Sequence, residues 1–135
     1  MNHTPFKIEM EVRDYECDIE GIVNNAVYLN YLEHARHLFL REKGFDFAQL
    51  SRQGILLVVI RVEVDFLYPL RTGDKFYVTA SLERISKLRL GFLQDVFRMP
   101  ENKPILKAKV FGTSINAAGQ PKYFEELEKI FSNEM

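Results

Sequence analysis

Asp18 lies in the run R-D-Y-E-C-D-I-E-G-I-V-N-N-A-V-Y, from Arg13 to Tyr28. The residues after it read as one long helix. An apolar stripe at Tyr28, Tyr31, Leu32, Ala35, Leu38 and Phe39 keeps the spacing of a buried helical face. Asn24 or Asn25 is a suitable N-cap and Gly44 a suitable stop. A carboxylate is therefore expected a few residues before a helix N-terminus, where N–H groups lack partners and the helix dipole is positive. That pairing suits acyl transfer. The carboxylate would activate water or attack a carbonyl carbon itself, and the N–H groups of Ile22, Val23, Asn24 and Asn25 would hold the oxyanion. The competing reading is that Asp18 only caps a turn. Gly21 permits a tight turn and also lets backbone approach a substrate closely.

Other reactive residue types carry less. Glu33 lies on the helix and is expected to orient the loop or pair with Arg36. Glu33, His34 and His37 lack an evident further ligand, so no metal site is expected and exposed helix positions explain them. Cys17 has no histidine beside it in the loop, and extended alternation points it away from Asp18, so it is read as structural. Lys87, Arg89, Lys107 and Lys109 read as solvated charges, and no Gly-rich phosphate loop is present.

The elements that must position Asp18 follow from periodicity. Phe6, Ile8, Met10 and Val12 alternate with charged residues as a half-buried strand. A second, short helix is expected from Asp46, with capping-box spacing to Gln49, to Gly54. Leu56, Val58, Ile60, Val62, Val64, Phe66 and Tyr68 form one apolar face of a long strand, bent or bulged, ended by Pro69. Ile55, Leu57 and Val59 would then be apolar on the face opposite the core. Strands follow from Phe76 to Leu82, from Leu88 to Met99 (central) and from Leu106 to about Asn116. Phe124, Leu127, Ile130 and Phe131 suggest a terminal amphipathic helix. Short turns between strands imply antiparallel pairing, so the expected class is α+β, an antiparallel sheet on one long helix.

The 135 residues, 47% hydrophobic, suffice for one domain spanning 1–135 and a true core. A net charge of -1 argues against a nucleic-acid binder. No apolar run is long enough to span a bilayer, and Met1 to Lys7 lacks the pattern of a signal peptide. With one cysteine, a soluble cytoplasmic protein is expected.

Taken together, Asp18, Gly21, Val23, Asn24, Asn25, Tyr28, Glu33, Ala35 and Arg36 resemble the signature of the 4-hydroxybenzoyl-CoA thioesterase family. The later V-D-F-L-Y-P-L-R-T-G-D-K-F-Y-V resembles that family's strand, Pro, Gly-Asp, strand segment, and the likeness covers roughly Phe6 to Pro121. It implies a hotdog fold: a five-stranded antiparallel sheet wrapped around a central helix. It further implies an acyl-CoA thioesterase with Asp18 as base or nucleophile, Tyr28 and Glu33 among the positioning residues, and no cofactor beyond the CoA of the substrate. Lys87, Arg89, Lys107 and Lys109 become candidates for the CoA phosphates. A homodimer or homotetramer is implied, paired through the strand after the helix, here Ile55 to Tyr68. Many bacterial members have His where Asn25 stands; Asn there, as in relatives resembling acyl-carrier-protein thioesterases, can polarise a carbonyl but cannot transfer a proton. An acyl-ACP thioesterase and a non-catalytic acyl-CoA-binding module are the alternatives. A dehydratase of this fold needs a site histidine, and His3, His34 and His37 are poorly placed for that.

Overall fold

The computed structural model describes residues 5–132; His3 and the start of the segment read for a signal peptide lie outside them. In chain order the elements are β1 (Lys7–Glu11), a 3₁₀ turn (Asp14–Glu16), α1 (Asn25–Glu42) and α2 (Phe47–Arg52). Then come β2 (Leu56–Phe66), β3 (Lys75–Thr79), β4 (Ser81–Arg84), β5 (Arg89–Arg98) and β6 (Lys103–Ile115). A 3₁₀ turn (Glu125–Glu128) and α3 (Lys129–Ser132) complete the described residues. All pairings are antiparallel, in the order β1-β3-β5-β6-β2, with β4 also on β5. The sheet has six strands rather than the expected five. β3 and β4 share β5 as partner and are separated only by Ala80, so they occupy one broken position.

Helix α1 starts where Asn24 accepts the Ala26 N–H at 2.9 Å. It ends at Lys43–Gly44, where Gly44 takes a φ of 93° that a side chain would disfavour. Tyr28, Tyr31, Leu32, Ala35, Phe39 and Leu40 are buried. Leu40 joins the expected stripe and Leu38 is only half-buried. The Phe45 N–H returns to the Leu40 carbonyl, and Phe45 packs with Leu40 and Ile55 in one core cluster. The N-terminal half of α1 packs in the other cluster, with Val12, Val23, Leu70, Phe76, Val96 and Ile105. This is the hotdog arrangement. Among the described residues, no helix is long and apolar enough to cross a membrane.

Strand β2 departs from the expected pattern. Its register against β6 shifts between Val59 and Arg61, which makes Ile60 the extra residue of a bulge. Directly opposed residues share a face. Val62 and Val64 oppose buried Val110 and Ala108, while Leu57 and Val59 oppose Ser114 and Gly112. The apolar face therefore changes parity at Ile60. Leu57 packs in the core and Ile55 is 3% exposed, so they are not opposite it. Leu56 and Val58 take the outer face instead. Because β2 is an outermost strand, Val59, Ile60, Val62 and Phe66 remain 39–50% exposed. The terminal segment is also broken: a 3₁₀ turn leads into one turn of helix, with Leu127 and Ile130 buried.

Candidate active site

The loop from Arg13 to Asn24 is a closed structure. Cys17 and Val23 bridge its two limbs. The Asp18 N–H donates to the Ile22 carbonyl at 2.8 Å, and the Gly21 N–H to the Asp18 carbonyl at 3.0 Å. Asp18 Oδ1 accepts the Glu20 N–H at 2.9 Å and, at a long 3.4 Å, the Ile22 N–H. Gly21 sits at φ 81°, so its predicted turn role has a direct conformational basis. Asp18 thus fixes its own turn, leaving Oδ2 without a protein donor among the described residues. Ile19, beside it, is fully exposed.

The turn is docked onto the chain between β2 and β3. Val23 donates to the Leu70 carbonyl at 2.9 Å, Leu70 donates to the Tyr28 hydroxyl at 2.9 Å, and Ile22 bridges Arg71. Cys17 Sγ lies 3.3 Å from Thr72 Oγ1 and packs against the core.

These bonds change several expected roles. Of the four N–H groups expected to face a substrate, that of Ile22 is turned to Asp18, that of Val23 to Leu70 and that of Asn24 to the Glu16 carbonyl at 3.0 Å. Only the Asn25 N–H has no acceptor among the described residues; it is the first N–H of α1. Tyr28, expected to position substrate, is 2% exposed and spends its hydroxyl on Leu70. Burial pushes its titration above the usual tyrosine range. Among the described residues Glu33 makes no hydrogen bond to the loop and no ion pair with Arg36, though its charge partly offsets the burial of the Arg36 guanidinium. It points to His37 at 3.8 Å, while Arg36 reaches Gln94 at 3.2 Å and is lowered in pKa by burial. The i, i+4 geometry on an exposed face explains that choice. Among the described residues no group of His, Cys, Asp and Glu side chains is gathered for a metal.

Sequence reasoning missed Glu16. It is 8% exposed and accepts from the Arg13 N–H, the Arg13 guanidinium and the Tyr31 hydroxyl. The available signal was an acidic residue two positions before Asp18 that no surface pattern demanded.

An apolar groove runs from the start of α1 to the open edge of the sheet, lined by Asn25, Ala26, Leu29, Val62, Val64 and Phe66. The four basic candidates do not gather beside it. Lys109 pairs with Glu83 at 2.8 Å on the outer face, and Lys107 stands on that face opposite Asp65 and Asp95. Lys87 lies over the Tyr123 ring at 4.9 Å. Arg89 is exposed at the start of β5 and lines a separate recess with Arg61, Phe111 and Thr113.

Comparison with known proteins bears on the fold and the family. An acyl-acyl carrier protein thioesterase of Arabidopsis thaliana, ATL3, is 45% identical over 103 residues, which is 76% of this chain and 54% of that protein. The chain spans only about half the length of the two Arabidopsis relatives. The long-chain acyl-CoA thioesterase FadM of Escherichia coli is 29% identical, with 76% of each chain covered. The crystal structure of Slr0204, a 1,4-dihydroxy-2-naphthoyl-CoA thioesterase from Synechocystis, superposes with a TM-score of 0.89 over 97% of this chain and 98% of that one. At 16% identity that likeness speaks to the fold alone. Residues 12–129 match the thioesterase-like superfamily, and the chain belongs to that family.

Proposed function

We propose that this protein hydrolyses an acyl thioester, with acyl-CoA as substrate, to the free acid and thiol. The observation that carries the reading is Asp18. Its carboxylate is set by its own turn, with one oxygen held by Glu20 and the other open. The same loop leads directly into the first turn of α1, where the Asn25 N–H is unspent. Asp18 either removes a proton from water as water attacks the carbonyl carbon and the thiolate leaves, or attacks that carbon itself, breaking the C–S bond and expelling the thiolate to form an anhydride that water then opens to the acid and the Asp18 carboxylate. The Asn25 N–H and the positive end of α1 stabilise the oxyanion. The groove along Leu29, Val62, Val64 and Phe66 takes the acyl group, and no cofactor is needed beyond the substrate's own CoA.

The working unit in this proposal is a homodimer or a homotetramer built from dimers. Among the described residues, β2 leaves an eleven-residue edge unpaired beside exposed Val62 and Phe66. A second copy added there would cover the groove and close two sites. The single free thiol of Cys17 fits work in a reducing cytoplasm.

An acyl-ACP substrate is the second reading, favoured by the name of the Arabidopsis relative at 45% identity. Matched acyl groups on CoA and on acyl carrier protein, assayed as kcat/KM, decide between carriers. A folded protein that hydrolyses neither across straight-chain, branched and aromatic acyl groups overturns the proposal.

A further inference from the structure

Building on the thioesterase reading above, we propose that Glu16 is a positioning residue: it locks the Asp18 turn onto the body of α1, so that catalysis by Asp18 depends on it. The bonds within the Asp18 turn, from Asp18 to Ile22, are local and fix the turn's shape but not its place. Glu16 ties that shape to the rest of the protein at several points. Its Oε1 accepts the Arg13 N–H at 2.8 Å, where the chain enters the loop. The same oxygen accepts the Tyr31 hydroxyl at 2.8 Å, from the second turn of α1. Its Oε2 accepts the Arg13 guanidinium at 3.1 Å. Its backbone carbonyl accepts the N–H of Asn24, the residue that caps α1, at 3.0 Å. Entry, exit and helix therefore meet on one residue, two positions before Asp18.

The chemistry of the group matters as well as its place. A buried carboxylate is costly unless its lone pairs are taken up, and a buried charged pair is weak support for stability compared with apolar packing. A hydrocarbon would fill the space beside Tyr31, whose ring packs tilted against Phe76 at 4.7 Å, at less cost. What a carboxylate adds is two acceptor oxygens in fixed directions, which orients three donors at once. The Tyr31 hydroxyl is raised in pKa, first by burial and then by its bond to Glu16, so it stays a donor at every working pH. Glutamine keeps one oxygen for the Arg13 N–H and the Tyr31 hydroxyl, but its amide sets an N–H donor against the Arg13 guanidinium, a clash of donors that displaces the side chain.

The test is a double-mutant cycle on purified, folded protein. Glu16→Gln should lower kcat by about 10²-fold, the scale of a misplacement of about 1 Å, with KM changed by less than about twofold. In an Asp18→Asn background the same substitution should cause almost no further loss, because the group it positions is already gone. Tyr31→Phe, which keeps the ring and removes one of the bonds, should act in the same direction and more weakly; if Glu16→Gln does not fold, it alone decides. A purely structural Glu16 would instead lower the melting temperature and leave kcat per folded molecule unchanged in both backgrounds. Equal losses with and without the Asp18 carboxylate, or unchanged turnover in an active parent, overturn the positioning role alone. A parent inert towards every acyl-CoA and acyl-ACP overturns the thioesterase reading, and this inference with it.

Discussion

The Leu70 N–H donates to the Tyr28 hydroxyl at 2.9 Å, deep under the first turn of α1. Leu70 itself is fully buried, and its carbonyl accepts the Val23 N–H. The chain between β2 and β3 is thereby clamped between the helix and the Asp18 loop. Tyr28→Phe would keep the ring contacts with Tyr31 and Phe66 but leave a buried N–H without a partner. Such an orphan costs about 1–3 kcal/mol. Urea denaturation should show a loss of that size. A change below about 0.5 kcal/mol, the usual scale for a neutral surface substitution, would mean that the bond contributes nothing.

The same clamp shows what could be read in the sequence and what could not. Asp18, Gly21, the Asn24 cap and the stripe from Tyr28 to Phe39 are local patterns, and a local pattern is visible in one chain. The fate of each N–H is not local. Val23 is taken by Leu70, and Asn24 by Glu16, through contacts that only the folded topology creates. Glu16 was one of 19 acidic residues, set apart only by standing two positions before Asp18. The bulge at Ile60 is hidden for a different reason. Every residue from Ile55 to Ile60 is aliphatic, so either parity gives an apolar face and the pattern cannot locate the slip.

Strand β2 supplies the test of assembly. Sedimentation at micromolar concentration should give a dimer or a tetramer. Val62→Lys places a charge on the exposed inner flank of the open edge, with little cost to a single copy because Val62 is already 39% exposed. The variant should shift towards monomer, which sedimentation reads without recourse to activity, since Val62 also lines the groove proposed for the acyl group. A wild-type protein that is monomeric and fully active would remove the paired-edge arrangement.

Arg89 is the basic candidate best suited to a phosphate. Lys109 is occupied by Glu83, Lys107 is flanked by Asp65 and Asp95, and Lys87 rests on Tyr123. Arg89 opposes Thr113, five residues along β6 from the Ala108 that opposes Val64, and this odd step places Arg89 on the outer face while the groove opens on the inner one. At ~3.4 Å per residue that is ~17 Å along the sheet, so a pantetheine arm joining the two must pass around the open β2 edge. One exposed charge contact is worth up to about 1 kcal/mol, or roughly fivefold in affinity. Arg89→Glu should therefore raise KM for acyl-CoA at least about that much, and added salt should shrink the difference. Lys109→Gln should change KM less. Equal KM for acyl-CoA and for an acyl-pantetheine without phosphates would eliminate the contact.

Asp18→Asn addresses the chemistry itself. Asparagine keeps the Oδ1 that accepts the Glu20 and Ile22 N–H groups, and it favours the same turns as aspartate. Its amide replaces the open Oδ2, which bears no structural bond among the described residues. Fold, melting temperature and acyl-CoA binding should therefore persist. An amide cannot take a proton from water or attack a carbonyl as a carboxylate does, and losing a positioned general base typically costs ~10²–10⁴-fold. The loss should fall on kcat, with KM nearly constant, because Asp18 acts as the carbonyl is attacked and not on the bound thioester. A nucleophilic role can add a further mark: where water opens the anhydride at the Asp18 carbon, single turnover in ¹⁸O-labelled water leaves the acid unlabelled and carries label into the Asp18 carboxylate, which direct attack by water never does. Direct attack by water would label the acid in every turnover. Near-parental kcat in a folded Asp18→Asn protein would return Asp18 to the turn residue it also is, and the hydrolytic mechanism would need another base.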